Sequence, residues 1–341
     1  MAVTIRDREE PVTAVPAAEA AFRVIWLGER PWWLDDPGAR AELDGIEPGP
    51  PIPGAARPLV VHARAAVLHT LRRASHERLV ADISGVERLD RTAARVARSA
   101  QVVLVDDPGR LRALRGSPSS TWSLLRTPLD LEEYAPESVL RERRDAALKR
   151  FRRLHRLSPR TLLYAGPYRP EGGLHILLEL AERLRERYED LVVAAIPEGP
   201  VDPRYRDRCE RRALALGHRA LIEWDVPDVD RPLWYALATA VCVPATGPVP
   251  VAAALRAAAA GVPFVAGEVG SLRELAPGLT GPLVPVGDVR ALAARLEQLL
   301  EHPERARAAG GEARRLAERQ LSPVAAARAL RTLWSGLAPP R

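Results

Sequence analysis

The sequence is poor in cysteine and in long apolar runs. Its two cysteines, Cys209 and Cys242, fall on a predicted helix and a predicted buried strand, without the spacing of a metal site. A reduced, cytoplasmic protein is the simplest interpretation. No apolar run approaches the length of a membrane helix, and the N-terminal residues lack the basic-then-apolar order of a signal peptide. We therefore expect a cytoplasmic chain without a membrane span.

Lysine and aromatic residues are scarce as well. Lys149 is the only lysine, so the formal net charge of +6 comes from arginine, and aromatic residues make up 5% of the chain. The arginines are spread among acidic residues along amphipathic helical patterns, whereas single-strand binding surfaces interleave basic and aromatic side chains. The arginine content indicates a compositional bias. We expect no nucleic-acid binding.

The chain does contain short apolar runs that alternate with helical patterns. From Arg160 onward the runs are "TLLYAG", "LVVAAIP", "ALIEWDVP", "AVCVPA" and "VPFVAG". The first half of the chain contains a similar series: "FRVIWLG", "PLVVHA", "RLVADISG", "QVVLVDD" and "TWSLLRTP". Strict alternation of strand and helix predicts a parallel sheet covered on both faces. The length of 341 residues suits two such domains.

Two stretches interrupt this alternation. The segment from Arg30 to Pro58 carries seven prolines and no periodicity, so we predict a loop there. The run from Glu132 to Ser158 is charged and helical, with basic residues in its second half. We interpret it as a solvated helix face beside the interdomain hinge, with binding to an acidic membrane surface or an acidic partner as the alternative.

The stretch "LLYAGPYRPEGGLHILLEL", Leu162 to Leu180, begins as a strand, passes through a turn rich in glycine and proline, and ends as an amphipathic helix. Strand, glycine-bearing turn and helix form the arrangement that presents backbone N–H groups to a phosphate. Arg169 is the basic side chain in this turn. It is a candidate phosphate ligand, with a solvated turn arginine as the alternative.

Three stretches together resemble the GT-B glycosyltransferases of the retaining family-4 type over nearly the whole chain. They are "TPLDLEEYAP", the turn stretch above, and "GVPFVAGEVGSLRELAPGLTGPLVPVGD". The resemblance implies an α/β protein with two Rossmann-like, doubly wound parallel-sheet domains facing across a cleft. The implied domains are a flexible tail at 1–20, a reduced acceptor-side domain at 21–157, a donor-side domain at 158–320, and a helix with a tail at 321–341 that crosses back to the first domain.

The resemblance also implies a chemistry. A nucleotide-diphosphate sugar is the donor, the acceptor is a saccharide, lipid or small molecule, and no metal is needed because basic side chains and a helix N-terminus neutralise the leaving diphosphate. The protein would be cytoplasmic, with peripheral association at the inner face of the membrane or a partner glycosyltransferase as further options. A catalytically inactive homologue that acts as a binding or scaffold subunit is the alternative function.

Four family side chains are absent from this sequence. Pro167 and Gly172 stand where the family has an arginine and a lysine in the opening turn, and Pro248 and Arg256 stand where it has two glutamates. Arginine cannot accept hydrogen bonds from ribose hydroxyls, so Arg256 would instead face the diphosphate. Pro250 is predicted at the first position of the next helix, which would point its positive end at the cleft.

The candidate site residues follow from these matches. Asp82, within "VADISG", is a weak catalytic candidate beside Ser84, while His62 is expected to be structural. Gly28, Trp32 and Trp33 are acceptor-side candidates, although paired tryptophans often just cover an apolar edge. Glu274 is a ligand contact or a helix cap. The donor-side and phosphate-binding candidates are Gly166, Arg169, Gly173, Thr246, Gly247, Arg256, Ser271 and Glu274.

Overall fold

The chain is seen in a computed structural model. It describes residues 23–46 except 28, 30 and 45; 59–68; 78–84; 91, 95 and 97; 99–106; 121–134; 149; 151–157; and 160–337 except 224, 274, 276–278 and 280. The chain forms two compact units. The first consists of Met1–Pro128 with Gln320–Arg341, and the second consists of Leu129–Arg319. The predicted flexible tail at residues 1–20 and most of the charged run after Glu132 lie outside the described residues.

The second unit begins earlier than the predicted boundary at residue 158. Two contacts of the segment after Leu129 explain this. The Tyr134 ring packs edge-on against Tyr235, with centroids 5.9 Å apart. The Leu131 carbonyl accepts a 2.8 Å hydrogen bond from Arg314. Both partners lie in the second unit, so the segment 129–134 belongs to it by contact.

The first unit is built on a five-stranded parallel sheet. Its strands are β1 (Arg23–Leu27), β2 (Leu59–Arg64), β3 (Leu79–Asp82), β4 (Val102–Val105) and β5 (Thr121–Leu124), and they lie side by side in chain order. Helices α1 (Pro37–Glu42) and α2 (Ala65–Leu68) are short. Strands β3 and β4 are buried throughout, as expected for a sheet covered on both faces.

The second unit holds another five-stranded parallel sheet. Its strands are β6 (Arg160–Tyr168), β7 (Leu191–Val201), β8 (Ala220–Ile222), β9 (Ala240–Val243) and β10 (Phe264–Ala266), in the spatial order β10-β9-β6-β7-β8. The chain therefore moves from β6 to one side for β7 and β8, and returns to the other side for β9. Ligands of open α/β sheets bind at the carboxyl ends of strands where the order reverses in this way. In this unit that point lies between β6 and β9.

Seven helices of the second unit follow the pattern that the sequence predicts. They are α3 (Leu174–Leu184), α4 (Pro203–Leu216), α5 (Arg231–Leu237), α6 (Ala252–Ala259), α7 (Gly270–Arg273), α8 (Val289–Glu301) and α9 (Pro303–Leu321). Helix α3 buries Leu174, Leu177, Leu178 and Ala181, the i, i+3, i+4, i+7 stripe of an amphipathic helix. Within the described helices, none combines the length and the apolar character that a membrane crossing requires.

The last helix, α10 (Pro323–Leu337), packs in the first unit, as predicted. Its buried face places Ala326, Leu330 and Trp334 in one hydrophobic core with Trp26 and residues of the 32–46 region. Trp334 is fully buried, at 0% exposure. Burial of a side chain of this size is worth several kcal/mol, so α10 is an integral part of the first unit.

The prediction of a loop from Arg30 to Pro58 is wrong in its first part. Residues Trp32–Asp35 form a 3-10 turn, and α1 follows directly. The Asp36 carboxylate caps α1 by accepting a 2.9 Å hydrogen bond from the Ala39 N–H, and Pro37 occupies the first helical position. An Asp-Pro pair is a helix start signal, which the surrounding prolines obscured.

Candidate functional site

The turn that follows β6 closes on itself. Residues Pro170–Gly172 form a 3-10 turn, in which the Gly172 N–H donates to the Arg169 carbonyl at 3.0 Å and the Gly173 N–H donates to the Pro170 carbonyl at 3.1 Å. At the start of α3, the His175 N–H donates to the Tyr205 hydroxyl at 3.0 Å. These three N–H groups are occupied within the protein. The Gly172 and Gly173 N–H groups are therefore not free for a phosphate, and binding of a phosphate by other groups of this stretch stays a prediction.

The glycines of the turn are needed for close approach instead. A Cβ atom on Gly166 would lie 2.8 Å from the Tyr164 hydroxyl, and one on Gly172 would overlap the same hydroxyl. Gly173 has φ of 79°, and a Cβ there would overlap the Pro244 carbonyl oxygen. Only glycine combines that left-handed conformation with such close backbone contact. The turn is thus fitted around a tyrosine and against the chain that follows β9.

The loop after β9 joins the turn directly. The Thr246 N–H donates to the Glu171 carbonyl at 2.8 Å, and a Cβ on Gly247 would lie 3.0 Å from the Glu171 Cγ. The structure therefore brings Gly166, Gly173, Thr246 and Gly247 together at the carboxyl ends of β6 and β9, where the strand order reverses. Arg169 lies in the same turn. Its side chain is exposed and forms no ion pair within the described part of the chain.

Arg256 is engaged by a buried carboxylate that the sequence did not reveal. Glu198, in the second half of β7, is 6% exposed, and its Oε2 accepts a short hydrogen bond from Arg256 Nη1. Its Oε1 accepts hydrogen bonds from Arg231 Nη1 at 3.2 Å and from the Tyr235 hydroxyl at 3.3 Å. One carboxylate thus holds two guanidinium groups, which come from α5 and α6.

Glu198, Arg231, Arg256 and Tyr235 form a cluster. Within it, the charge of the Glu198 carboxylate alters the pKa of the Arg256 guanidinium. Burial alone would lower the pKa of the Arg256 guanidinium, but the Glu198 carboxylate outweighs burial and raises that pKa above its ordinary value. Arg256 is therefore a permanent cation. Its Nε is buried without a hydrogen-bond partner in the described structure, and its side chain remains 23% exposed. The guanidinium keeps donor capacity beyond its bond to Glu198.

The start of α6 differs from the prediction. Val251 is the residue before the helix, its carbonyl accepts from the Leu255 N–H at 3.1 Å, and the helix begins at Ala252. The prediction of Pro250 at the first helical position is therefore wrong by two residues. Pro250 instead packs over the second half of β7, where its Cγ lies 3.0 Å from the position of a Cβ on Gly199. Pro248 is exposed.

The loop after β10 contributes fewer described contacts to the candidate site. Gly267 lies against the Ala245 carbonyl, so close that a Cβ atom there would overlap the oxygen. Ser271 is part of the short helix α7. The Ser271 side chain and the whole of Glu274 lie outside the described residues, so the choice between ligand contact and helix cap for Glu274 stays a prediction.

In the first unit, Asp82 belongs to a buried network. The indole N–H of Trp334 donates to His62 Nδ1 at 3.3 Å, so the imidazole proton sits on Nε2 and is donated to Asp82 Oδ2, also at 3.3 Å. Asp82 Oδ2 also accepts from Arg64 at 3.4 Å, and Oδ1 accepts from the Ser84 N–H at 3.0 Å. The Trp26 ring stacks on His62 at a centroid distance of 4.0 Å. His62 is structural, as expected.

This network does not suit Asp82 to proton abstraction. Burial alone would raise the pKa of its carboxyl group, but the hydrogen bond from His62 and the neighbouring Arg64 guanidinium outweigh burial and hold the pKa below its ordinary value. Asp82 is also only 2% exposed. A saturated carboxylate with a lowered pKa is a weak base, so Asp82 acts here as an anchor between β2, β3 and α10.

The two acceptor-side tryptophans have different environments. Trp33 is 4% exposed and belongs to the hydrophobic core that α10 completes, so it covers an apolar edge and cannot stack on a ligand at the surface. Trp32 is 53% exposed and remains a candidate for contact with a sugar or lipid. Gly28 lies outside the described residues.

Comparisons with known proteins assign the chain to a family. A family model described as "Glycosyl transferases group 1" matches residues 159–302. The "GDP-mannose-dependent alpha-(1-6)-phosphatidylinositol monomannoside mannosyltransferase" of Mycolicibacterium smegmatis is 30% identical over 277 residues, 75% of this chain and 68% of that protein. The chain belongs to the glycosyl transferases group 1 family. The "D-inositol 3-phosphate glycosyltransferase" of Frankia alni is 32% identical over 222 residues, 62% of this chain and 53% of that protein.

The chain spans about half the length of the three D-inositol 3-phosphate glycosyltransferases that it matches. Solved structures confirm the predicted GT-B fold. A glycosyltransferase from Rickettsia africae superposes with a TM-score of 0.67 at 12% identity, over 94% of this chain and 99% of that one. HepE from Anabaena, solved in complex with UDP-glucose, gives a TM-score of 0.64 at 16% identity, over 92% and 99% of the two chains.

Proposed function

We propose that this chain is a metal-independent, retaining glycosyltransferase of the family-4 type that takes a sugar from a nucleoside diphosphate donor and transfers it to a hydroxyl acceptor. In the reaction, the anomeric C–O bond to the diphosphate breaks, a C–O bond to the acceptor forms, and the acceptor loses its hydroxyl proton. The observation that carries the proposal is the convergence of the glycine turn after β6 and the loop after β9 at the reversal point of the second sheet.

The donor chemistry requires positive charge near the leaving group. Departure of a nucleoside diphosphate places negative charge on phosphate oxygens, and fixed cationic donors stabilise it. Since the glycine N–H groups of the turn are occupied, this role falls to side chains. Arg169 is exposed in the turn itself, and Arg256 is a permanent cation with donors left over. These two arginines replace the arginine and lysine that the family carries at Pro167 and Gly172.

In this proposal the first unit binds the acceptor, and the exposed Trp32 is a candidate contact. The relatives in Mycolicibacterium smegmatis and Frankia alni are named for phosphatidylinositol monomannoside and D-inositol 3-phosphate. We therefore place inositol-containing compounds first among the acceptors to be tested. The donor nucleotide is taken from a panel of uridine and guanosine diphosphate sugars, because HepE was solved with UDP-glucose and one relative is named for GDP-mannose.

One observation favours a second candidate, a non-catalytic binding or scaffold subunit that works beside an active glycosyltransferase. The Arg256 guanidinium is already paired with Glu198, whose carboxylate competes with a phosphate for the same cation. A protein of this kind would bind a nucleotide weakly or not at all and would release no diphosphate.

The test is turnover with the donor panel in the presence of EDTA, measured as nucleoside diphosphate released when an inositol-containing acceptor is added. Acceptor-dependent release with one donor, lost in Arg169→Ala and retained in Arg183→Ala, is the expected result. Arg183 is a fair control because it is exposed on α3 and pairs only with Glu179 in the described structure. Nucleotide binding without release under any combination would favour the scaffold subunit.

A further inference from the structure

We infer that Tyr164 is a positioning residue for the donor, a role that rests on the proposed function of the turn from Gly166 to Gly173. Tyr164 lies in β6 and is 0% exposed. Its hydroxyl donates a 2.7 Å hydrogen bond to the carbonyl oxygen of Pro167, in the turn itself. A strand side chain thus supports the turn from the protein interior.

The hydroxyl holds both ends of the turn at once. At its start, the position of a Cβ on Gly166 lies 2.8 Å from the Tyr164 Oη. Near its end, a Cβ on Gly172 would overlap both that hydroxyl and the Pro167 carbonyl. The phenol, the carbonyl and the two glycines therefore share one small volume. Removal of the hydroxyl takes away one of the two donors of the Pro167 carbonyl, which keeps the Arg169 N–H, and leaves a gap that the turn can move into.

Movement of this turn would displace the groups that we assign to the donor. The Pro167 carbonyl also accepts from the Arg169 N–H at 2.8 Å, the Arg169 carbonyl accepts from Gly172, and the Glu171 carbonyl accepts from Thr246. A shift of Pro167 would therefore move Arg169 and, through the turn, the loop after β9. Burial raises the pKa of Tyr164 well above its ordinary value, which keeps the phenol protonated and able to donate. The support is therefore constant over the working pH range.

Tyr168 offers a matched control on the same strand. It is also 0% exposed, and its hydroxyl donates a hydrogen bond of the same length, 2.7 Å, to a backbone carbonyl. That carbonyl belongs to Glu223, which follows β8 and lies outside the turn. Tyr164→Phe and Tyr168→Phe each remove one buried phenol-to-carbonyl bond. They should lower the melting temperature by similar amounts. Because Tyr168 itself lies between Gly166 and Gly173, the effect on the turn is compared at residues 169–173, where only Tyr164→Phe should act.

The experiment compares the wild type and both variants by two measurements on the full chain. The first is amide hydrogen exchange over residues 169–173, which needs no ligand and excludes both mutated positions; the second is calorimetric affinity for uridine and guanosine diphosphate. Faster exchange in Tyr164→Phe alone, with an affinity about tenfold weaker than that of Tyr168→Phe, is the expected result. Equal exchange in the two variants, or a Tyr164→Phe affinity equal to that of Tyr168→Phe, would overturn the inference.

The two measurements also distinguish failure of this inference from failure of the proposed function. If the wild type binds neither diphosphate, the proposed donor site fails, and the positioning role of Tyr164 fails with it. A selective exchange effect would then describe a support of the fold alone. If the wild type binds and both variants bind equally, the donor site stands and only the role of Tyr164 is rejected.

Discussion

The Glu198 carboxylate and the Arg256 guanidinium form a direct ion pair at the carboxyl edge of the second sheet. The pair is unusual because Arg256 stands where the resembled family carries an acidic residue. A second arginine, Arg231, binds the other oxygen of Glu198 at 3.2 Å. Two cations therefore share one buried anion, and Arg231 has a second carboxylate partner in the exposed Asp228, at 2.8 Å, so that Glu198 is the carboxylate paired with Arg256 in the described structure.

Replacement of Glu198 by glutamine should destabilise the second unit. The change leaves the largely buried Arg256 without its counter-ion, while Arg231 keeps Asp228, and breaking such a buried pair costs about 3 kcal/mol or more of unfolding free energy. Urea denaturation measures this loss. Glu179→Gln is the control, since Glu179 pairs with Arg183 at an exposed i, i+4 position and such pairs contribute about 0.5 kcal/mol. Equal effects of the two variants would show that Glu198 does not organise the cluster.

Alanine at Gly173 should cost more stability than alanine at Gly287. Both glycines have φ of 79°, so each substitution carries the same left-handed strain of about 1–2 kcal/mol. A Cβ on Gly287 meets nothing within 4 Å, whereas a Cβ on Gly173 overlaps the Pro244 carbonyl oxygen. The difference between the two melting temperatures isolates the cost of that overlap. Equal losses would mean that the turn and the loop after β9 are not in close contact.

The stability of the first unit should depend on the ionisation of Asp82. Its pKa in the folded chain lies below the ordinary value of 3.8. Ionised Asp82 thus adds stability at pH values above 3.8, and this contribution is lost as the pH falls through the lower folded pKa. Melting temperatures measured from pH 6 to pH 2 should fall more steeply for the wild type than for Asp82→Asn. Parallel curves would contradict the assigned network.

The strands and most helices could be predicted from sequence because each depends on local pattern. The apolar run "TLLYAG" and the stripe on α3 specify their elements without help from distant residues. The glycine turn could also be predicted, but the internal hydrogen bonds of Gly172 and Gly173 could not. A sequence shows that glycine is present, and it does not show whether the absent side chain makes room for a ligand, a hydroxyl or a carbonyl.

The buried networks could not be predicted because their partners lie far apart in the chain. Glu198 and Arg256 are 58 residues apart, and Trp334 and His62 are 272 residues apart. The one local signal for Glu198 was an acidic residue directly after a fully apolar strand, in "AAIPEG". A carboxylate at the carboxyl end of a parallel strand is a reasonable site candidate, and this applies to Glu198 as it does to Asp82.

Isothermal titration of the full chain with nucleoside diphosphates, in the presence of EDTA, tests the central claim most directly. The account predicts that one diphosphate binds, and that Arg169→Ala and Arg256→Gln each weaken binding about tenfold or more, whereas Arg183→Ala does not. Melting temperatures of the same variants show whether each remains folded. Absence of binding at millimolar concentration, or equal binding by all folded variants, would contradict a donor site built on Arg169 and Arg256.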